Sequence, residues 1–413
     1  PISCKTSKTR RISRFKAGID NVFSRQHGFR PLSSSLVSRE IVARRQDISW
    51  MKLLLLINHH LPDDRHEAVR NDERPQADYD SLAEAVRALP LGQADILDRN
   101  SVDREAGWLV RLVRRLCGYN IALALLGYER CHQYDAVFSH SELVALPLAF
   151  LIRPRSRRPR HVTTAYYLTG RRNAFLYRLL GVHRGIDTIF TLSREQFETG
   201  RQLKIPEKKL VLLASCGYVD ARFFGTETGQ AVDEWQICST GLEFRDYGTL
   251  LAAVAELPGV KLKINPTSPW SLHRSLVGQV QMPPNAEIVQ LRLGAARQLY
   301  AESAAVVVPL RANPIGAGTA VMVEAMLAGK PVIITRSEDG TFAGRRDLVD
   351  GWNVIMVDAG DVPGWRDALE RLMTDQELRR RIGARGREWA EKHANREEWL
   401  SIMIGALRGA ARM

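Results

Sequence analysis

Between residues 306 and 335 the chain reads VVVPLRANPIGAGTAVMVEAMLAGKPVIIT. Gly316, Ala317, Gly318 and Thr319 form a glycine-lined turn ahead of a helical pattern. Glycine lets a backbone approach a ligand closely, and the free N–H groups and dipole of a helix start attract an anion. The anion suited to such a turn is a diphosphate. Glu324 follows about one and a half turns into the helix. Its neighbours Val321, Met322, Val323, Ala325, Met326 and Leu327 are apolar on nearly every side. A carboxylate there is costly unless it is hydrogen-bonded. It either accepts from a pair of adjacent hydroxyls, such as a ribose presents, or lies at the surface edge of the helix, or pairs with an internal arginine.

Holding that turn requires a buried strand on each side. Residues 306–308 give the first. The helix starts near Thr319 and ends at Gly329, a glycine in the usual position after a helix, and Lys330-Pro331 leads into the second strand. The same alternation runs through the chain from Met51 on. Strands are expected over 52–57, 94–97, 136–138, 161–164, 188–192 and 209–213, with helices such as 81–88, 108–116, 174–180 and 195–202 between them. Residues 221–234 read as a linker. Strands resume over 235–239, 260–264, 287–290, 305–308, 331–335 and 353–357, with helices over 247–256, 293–303, 319–328, 362–373 and 377–393. Repeated strand–helix alternation means parallel βαβ units, so the fold class is α/β with two doubly wound, Rossmann-like parallel-sheet domains. Ligands of such sheets bind outside the carboxyl ends of the strands, which places the site in a cleft that the two domains face.

The block G-x-x-x-x-x-E-A-M-x-A-G-K-P-V-I resembles the donor-site motif of retaining GT-B glycosyltransferases of the family-4 (group 1) type. Other stretches agree in order: Thr191-Leu192-Ser193, then residues 216–224 (CGYVDARFF), 241–251 (GLEFRDYGTLL), 290–300 with 306–309, 348–353 (LVDGWN) and Gly360-Asp361. The likeness is good over residues 186–395 and holds only in outline over 51–185. It implies a GT-B fold, with residues 51–225 binding an acceptor, residues 232–395 binding a nucleotide-sugar, and a final helix within 396–413 crossing back to the first domain. Glu324 would hold the ribose. Gly316, Ala317, Gly318 and Thr319 would offer amides to the diphosphate or sugar, beside Gly241. Arg245 would be the catalytic cation on the departing diphosphate, unless it is a surface ion pair with Asp246. Fixed cations and amides stabilise a leaving diphosphate without a metal, so no metal and no cofactor are expected. The nucleotide-sugar, UDP- or GDP-linked, is a co-substrate.

The chain departs from that pattern. Gly316 stands where the family has a first glutamate, which normally contacts the transferred sugar. Leu242 stands where it often has arginine, so Arg245 would carry most of the charge, helped by Arg292 or Arg311. Asn58-His59-His60-Leu61-Pro62 replaces a glycine-rich first loop. His59, His60, His140 and His161 are acceptor-side groups or ordinary core and surface histidines. The implied reaction moves a sugar to a hydroxyl on a glycan, lipid-linked or small-molecule acceptor with retention. The alternatives are a weakened nucleotide-sugar binder and a sugar-nucleotide epimerase.

The sequence has 413 residues, of which 45% are hydrophobic and 25% charged, with net charge +13. That composition excludes a disordered or collagen-like chain. Residues 1–50 hold eleven Lys/Arg against three acids and read as a flexible basic extension, so charge gives no case for a specific nucleic-acid partner. Five scattered cysteines without a C-x-x-C pair indicate a reducing compartment and neither a zinc site nor a disulfide framework. A cytoplasmic protein is expected, peripheral on the inner face of a membrane. Two basic stretches bear on that contact: residues 153–161 (RPRSRRPRH), a solvated loop or a contact for anionic headgroups, and residues 108–116 (WLVRLVRRL), a helix that packs with its arginines outward or lies on a membrane.

Overall fold

The computed structural model describes residues 51–166, 168, 171–266, 281–291, 294–311, 316–337 and 346–409. The expectations for residues 1–50 and for Arg292 fall outside these.

Leucines fill β1 (Met51–Leu56) almost without interruption, and the strand is buried on both faces. That is how a central strand of a covered parallel sheet reads. The chain continues through α1 (Arg65–Arg70), α2 (Asp78–Arg87), β2 (Gly92–Leu97), α3 (Arg99–Arg104), α4 (Trp108–Cys117), α5 (Tyr119–Arg130), β3 (Ala136–Ser139), α6 (Glu142–Ile152), β4 (Arg160–Ala165), α7 (Arg171–Leu180), β5 (Thr188–Thr191), α8 (Arg194–Gln202) and β6 (Leu210–Leu212). These strands form one parallel sheet in the order β2-β1-β3-β4-β5-β6.

After α9 (Ala221–Gly225) come β7 (Asp233–Thr240), α10 (Tyr247–Ala255), β8 (Lys261–Asn265), β9 (Ala286–Ile288), α11 (Ala295–Glu302), β10 (Ser303–Val308), α12 (Thr319–Leu327), β11 (Val332–Thr335), β12 (Ile355–Val357), α13 (Val362–Thr374), α14 (Gln376–His393) and α15 (Arg396–Arg408). The second sheet is also parallel, in the order β12-β11-β10-β7-β8-β9. The chain moves outward from β7 to β9 and returns beside β7 as β10. The switch point of this sheet therefore lies between β7 and β10, where doubly wound sheets hold their ligands.

Each expected strand lies within two residues of an observed one. The stretch read as a linker differs in part. Asp220 accepts from the Phe223 N–H at 3.2 Å and starts α9, whose Phe223 and Phe224 are buried. Aromatic burial turns the first third of that stretch into structure.

Helix α15 packs on the first sheet. Trp399, Met403, Ala406 and Leu407 share a buried cluster with Leu53, Leu55, Phe138 and Val162, and Arg396 donates to Ser81. Other bonds tie the two sheets' surroundings together. The Gln76 N–H donates to Asp220 at 2.8 Å, and Arg297 meets Asp72 at 2.7 Å while its guanidinium lies over Phe223.

Candidate active site

The loop after β7 and the loop after β10 are bonded to each other at the switch point. The Asp246 N–H donates to the Pro309 carbonyl at 3.1 Å and the Arg311 N–H to the Phe244 carbonyl at 2.9 Å. Asp246 also caps α10, accepting from the Thr249 hydroxyl at 2.7 Å. Gly241 adopts φ +93, and a Cβ there would lie 2.7 Å from the Arg245 guanidinium. Glycine takes this positive φ without strain and leaves the folded-back arginine undisturbed.

Arg245 is 6% exposed. Its Nε and Nη2 donate to the Thr240 carbonyl at 3.0 and 2.9 Å, and Nη1 donates to the Glu243 carbonyl at 3.1 Å. These bonds engage three of the five guanidinium donors. Burial pulls this cation below its ordinary value, while Tyr247, Tyr300 and Glu324 oppose the shift. Arg245 is thus a fixed, buried positive charge and not a surface partner of Asp246.

On the other side of the crevice, Gly316 and Gly318 take φ +66 and +88. A Cβ on Gly318 would come within 2.8 Å of Val308. The Thr319 hydroxyl donates back to the Gly316 carbonyl at 2.8 Å. Helix α12 begins at Gly318 with no side-chain cap, and the Thr319 N–H donates back to the Gly316 carbonyl at 3.4 Å. A Cβ on Gly316 would lie 3.3 Å from the Leu192 carbonyl. Leu192 follows β5 of the first sheet, so this turn faces the other half of the molecule.

Glu324 is half-buried on α12. Its Oε2 accepts from the Tyr300 hydroxyl at 2.9 Å, and the same hydroxyl lies 2.8 Å from Thr240 Oγ1. Burial pushes the Glu324 carboxyl up to about 7, against the pull of Tyr300 and Arg245. Its single tyrosine bond leaves carboxylate lone pairs for further donors.

Among the acceptor-side histidines, the structure brings His59 and His140 together at the carboxyl end of the first sheet. Both pack edge-on to Tyr79, with ring centroids 5.7 Å apart in each case. His140 Nε2 lies 3.4 Å from Asp78 Oδ2. Burial alone would raise the Asp78 carboxyl; His140, the Tyr79 N–H and Arg396 outweigh it and hold the group below its ordinary value. Burial and the neighbouring His140 lower His59 to about 3. His60 turns aside to Asn100, at 2.8 Å. His161 is a core histidine between Ser139 and the Gly185 carbonyl, at 2.9 and 3.1 Å, lowered to about 4 by burial. Tyr218 bridges the halves. It packs against the cores on both sides and lies within electrostatic reach of Tyr166, Glu324 and Asp78.

Sequence reasoning overlooked Tyr300, Thr240, Asp78 and Tyr218. A tyrosine just before a largely apolar strand is a usable signal for Tyr300, because its hydroxyl needs a partner once buried. Nothing local marks Asp78. Among the described residues, no group of three or more His, Cys, Asp and Glu is placed to hold a metal ion. No described helix is long and apolar enough to cross a membrane.

Residues 250–375 match the family described as "Glycosyl transferases group 1". A lipopolysaccharide core biosynthesis glycosyltransferase, LpsE of Rhizobium meliloti (strain 1021), is 31% identical over 168 residues, which cover 38% of this chain and 44% of that protein. The chain thus aligns with less than half of that relative's length. Among solved structures, sucrose-phosphate synthase from Thermosynechococcus elongatus superposes with a TM-score of 0.60 at 16% identity, covering 87% of this chain and 98% of the other. HepE of Anabaena, solved with UDP and glucose, gives 0.57 at 13% identity, covering 87% and 99%. The fold is GT-B: two parallel six-stranded sheets with helices.

Proposed function

We propose that this chain is a glycosyltransferase. It moves a sugar from a nucleoside diphosphate sugar to a hydroxyl acceptor, with retention and without a metal. One observation carries the reading: at the β7/β10 switch point, a half-buried carboxylate stands beside an uncapped helix start and a buried arginine. Glu324 takes the two ribose hydroxyls. The Gly318 amide and the dipole of α12 face the diphosphate, and Arg245 supplies positive potential beneath it. In the transition state the anomeric C1–O bond breaks and negative charge grows on the diphosphate, where amides and a fixed cation stabilise it most. The acceptor hydroxyl attacks C1 from the face the leaving group vacates, and its proton passes to the departing phosphate oxygen. The acceptor enters from the first sheet, past His59, His140 and Tyr166.

UDP is the first nucleotide to test, since HepE was solved with UDP and glucose; GDP is the second. A glycan or lipid-linked hydroxyl suits the resemblance to a lipopolysaccharide core enzyme, and a lipid-linked one would bring a cytoplasmic protein to the inner face of a membrane. The test is a panel of UDP-, GDP- and dTDP-sugars, read first as a rise in melting temperature and then as sugar release or transfer. A native-state ligand raises the melting point by mass action. Nucleotide binding with neither hydrolysis nor transfer would make the chain a binding protein. No stabilisation by any nucleotide would defeat the reading.

A further inference from the structure

Helix α4 contains three arginines and no acid (WLVRLVRRLC). At 3.6 residues per turn, its apolar side chains cover an arc of roughly 200°. Packing uses only part of that arc. Val110 is buried in the cluster of Leu54, Leu56, Leu97 and Val137, and Val113 lies against it. The rest of the arc faces outward: Trp108 is 76% exposed, Leu109 43%, Leu112 44% and Leu116 73%. Arg111 and Arg115 are exposed along one flank of this stripe. Arg114 is tied to Asp103 and Tyr119.

We propose that α4 is a docking helix that lies on a bilayer surface bearing anionic headgroups. A large apolar face with an all-cationic flank is the pattern of interfacial helices, with the tryptophan at headgroup depth and the arginines on the phosphates. A second copy of the chain fits less well. Four side chains on one convex helix fall well short of the roughly 800 Å2 per partner of a stable interface, and self-pairing would bring arginine rows together. The other basic stretch is largely spoken for. Arg158 pairs with Asp187 at 2.6 Å, Arg155 stacks 3.9 Å from the Tyr128 ring, and Arg160 donates to the Ala406 carbonyl.

The position of α4 gives the contact a purpose. The helix leads into Tyr119, whose ring meets His60 with centroids 5.3 Å apart, in the loop beyond the carboxyl end of β1. Docking through α4 holds the mouth of the first domain against the bilayer, where a lipid-linked hydroxyl is presented. This last step rests on the proposed transfer to such an acceptor; the docking itself does not.

The test is co-sedimentation of the full chain with phosphatidylcholine vesicles, with and without phosphatidylglycerol. Wild type is expected to bind the anionic vesicles. Leu112→Glu with Leu116→Glu should lower the partition coefficient about tenfold or more, and Arg111→Glu with Arg115→Glu should lower it comparably. Both variants should keep the wild-type melting temperature and nucleotide stabilisation, because the altered side chains are exposed. Failure to bind vesicles by the wild type would overturn the proposal while leaving the donor site untouched. So would vesicle binding that survives Leu112→Glu with Leu116→Glu but vanishes in high salt, which would assign attachment to residues 1–50. A dimer in light scattering that Leu112→Glu dissociates, without vesicle binding by either form, would overturn it in favour of a second copy.

Discussion

In the second sheet, the groups that face the crevice come mostly from two continuous stretches, residues 241–246 and 316–324. In the first sheet, His59, Asp78, Tyr79, His140 and Tyr166 arrive from four separate places in the chain and meet at the ends of β1, β3 and β4. The sheets are both doubly wound, yet only one carries a local signature. A diphosphate asks for backbone: amides, glycine turns and a helix start, which must be contiguous. An acceptor asks for side-chain shape, which any neighbouring strand ends can supply.

The same contrast explains what was legible in the sequence. β1, β7, β10 and β11 are buried on both sides over much of their length, so continuous apolar runs reveal them. Gly316, Gly318 and Glu324 stand within nine residues of one another and were readable as a site. The Glu324 partners were not, because Tyr300 lies 24 residues away and Thr240 reaches it only through Tyr300, 60 residues distant. The surroundings of Arg245 were also hidden. No local rule distinguishes an arginine folded onto carbonyls of its own loop from one paired at the surface. The outward half of the α4 arc was invisible for a related reason, since periodicity reports an apolar face without saying whether the protein covers it.

If the donor half works through fixed charge, its substitutions should act on nucleotide and turnover, and those in the acceptor half on acceptor alone. The largest effect is expected from Arg245→Ala, which should lower turnover about a hundredfold, the scale of a lost transition-state donor. Melting temperature should fall much less; an equal loss of stability and turnover would make Arg245 a structural group. Glu324→Gln should weaken nucleotide binding by about one to three kcal/mol, roughly fivefold to 150-fold, for a lost charged hydrogen bond. The same change should stabilise the ligand-free protein. Below the ordinary carboxyl value of 4.5, folded and unfolded chains both keep the Glu324 proton. As pH rises from there to about 7, the unfolded chain ionises first and stability is lost. Removing the acid should therefore recover on the order of 3 kcal/mol above that window. A destabilised Glu324→Gln protein would point to an internal structural carboxylate.

The smallest effects belong to the acceptor half. His140→Ala and Asp78→Asn should each raise the acceptor KM by less than about tenfold, the loss of one polar contact, and leave nucleotide affinity unchanged. A fall in nucleotide affinity with either variant would break the division between the halves.

The central claim is that Glu324 meets the nucleotide as an ionised acceptor of ribose hydroxyls. Calorimetric titration of UDP, and of GDP, across its titration range tests this most directly. Hydroxyl donors favour the charged carboxylate, so wild-type affinity should climb as pH rises through about 7 and then level off. Glu324→Gln should bind more weakly above that range, without the climb, and the two proteins should converge below it. Equal affinity for both proteins with the same pH profile would contradict the account.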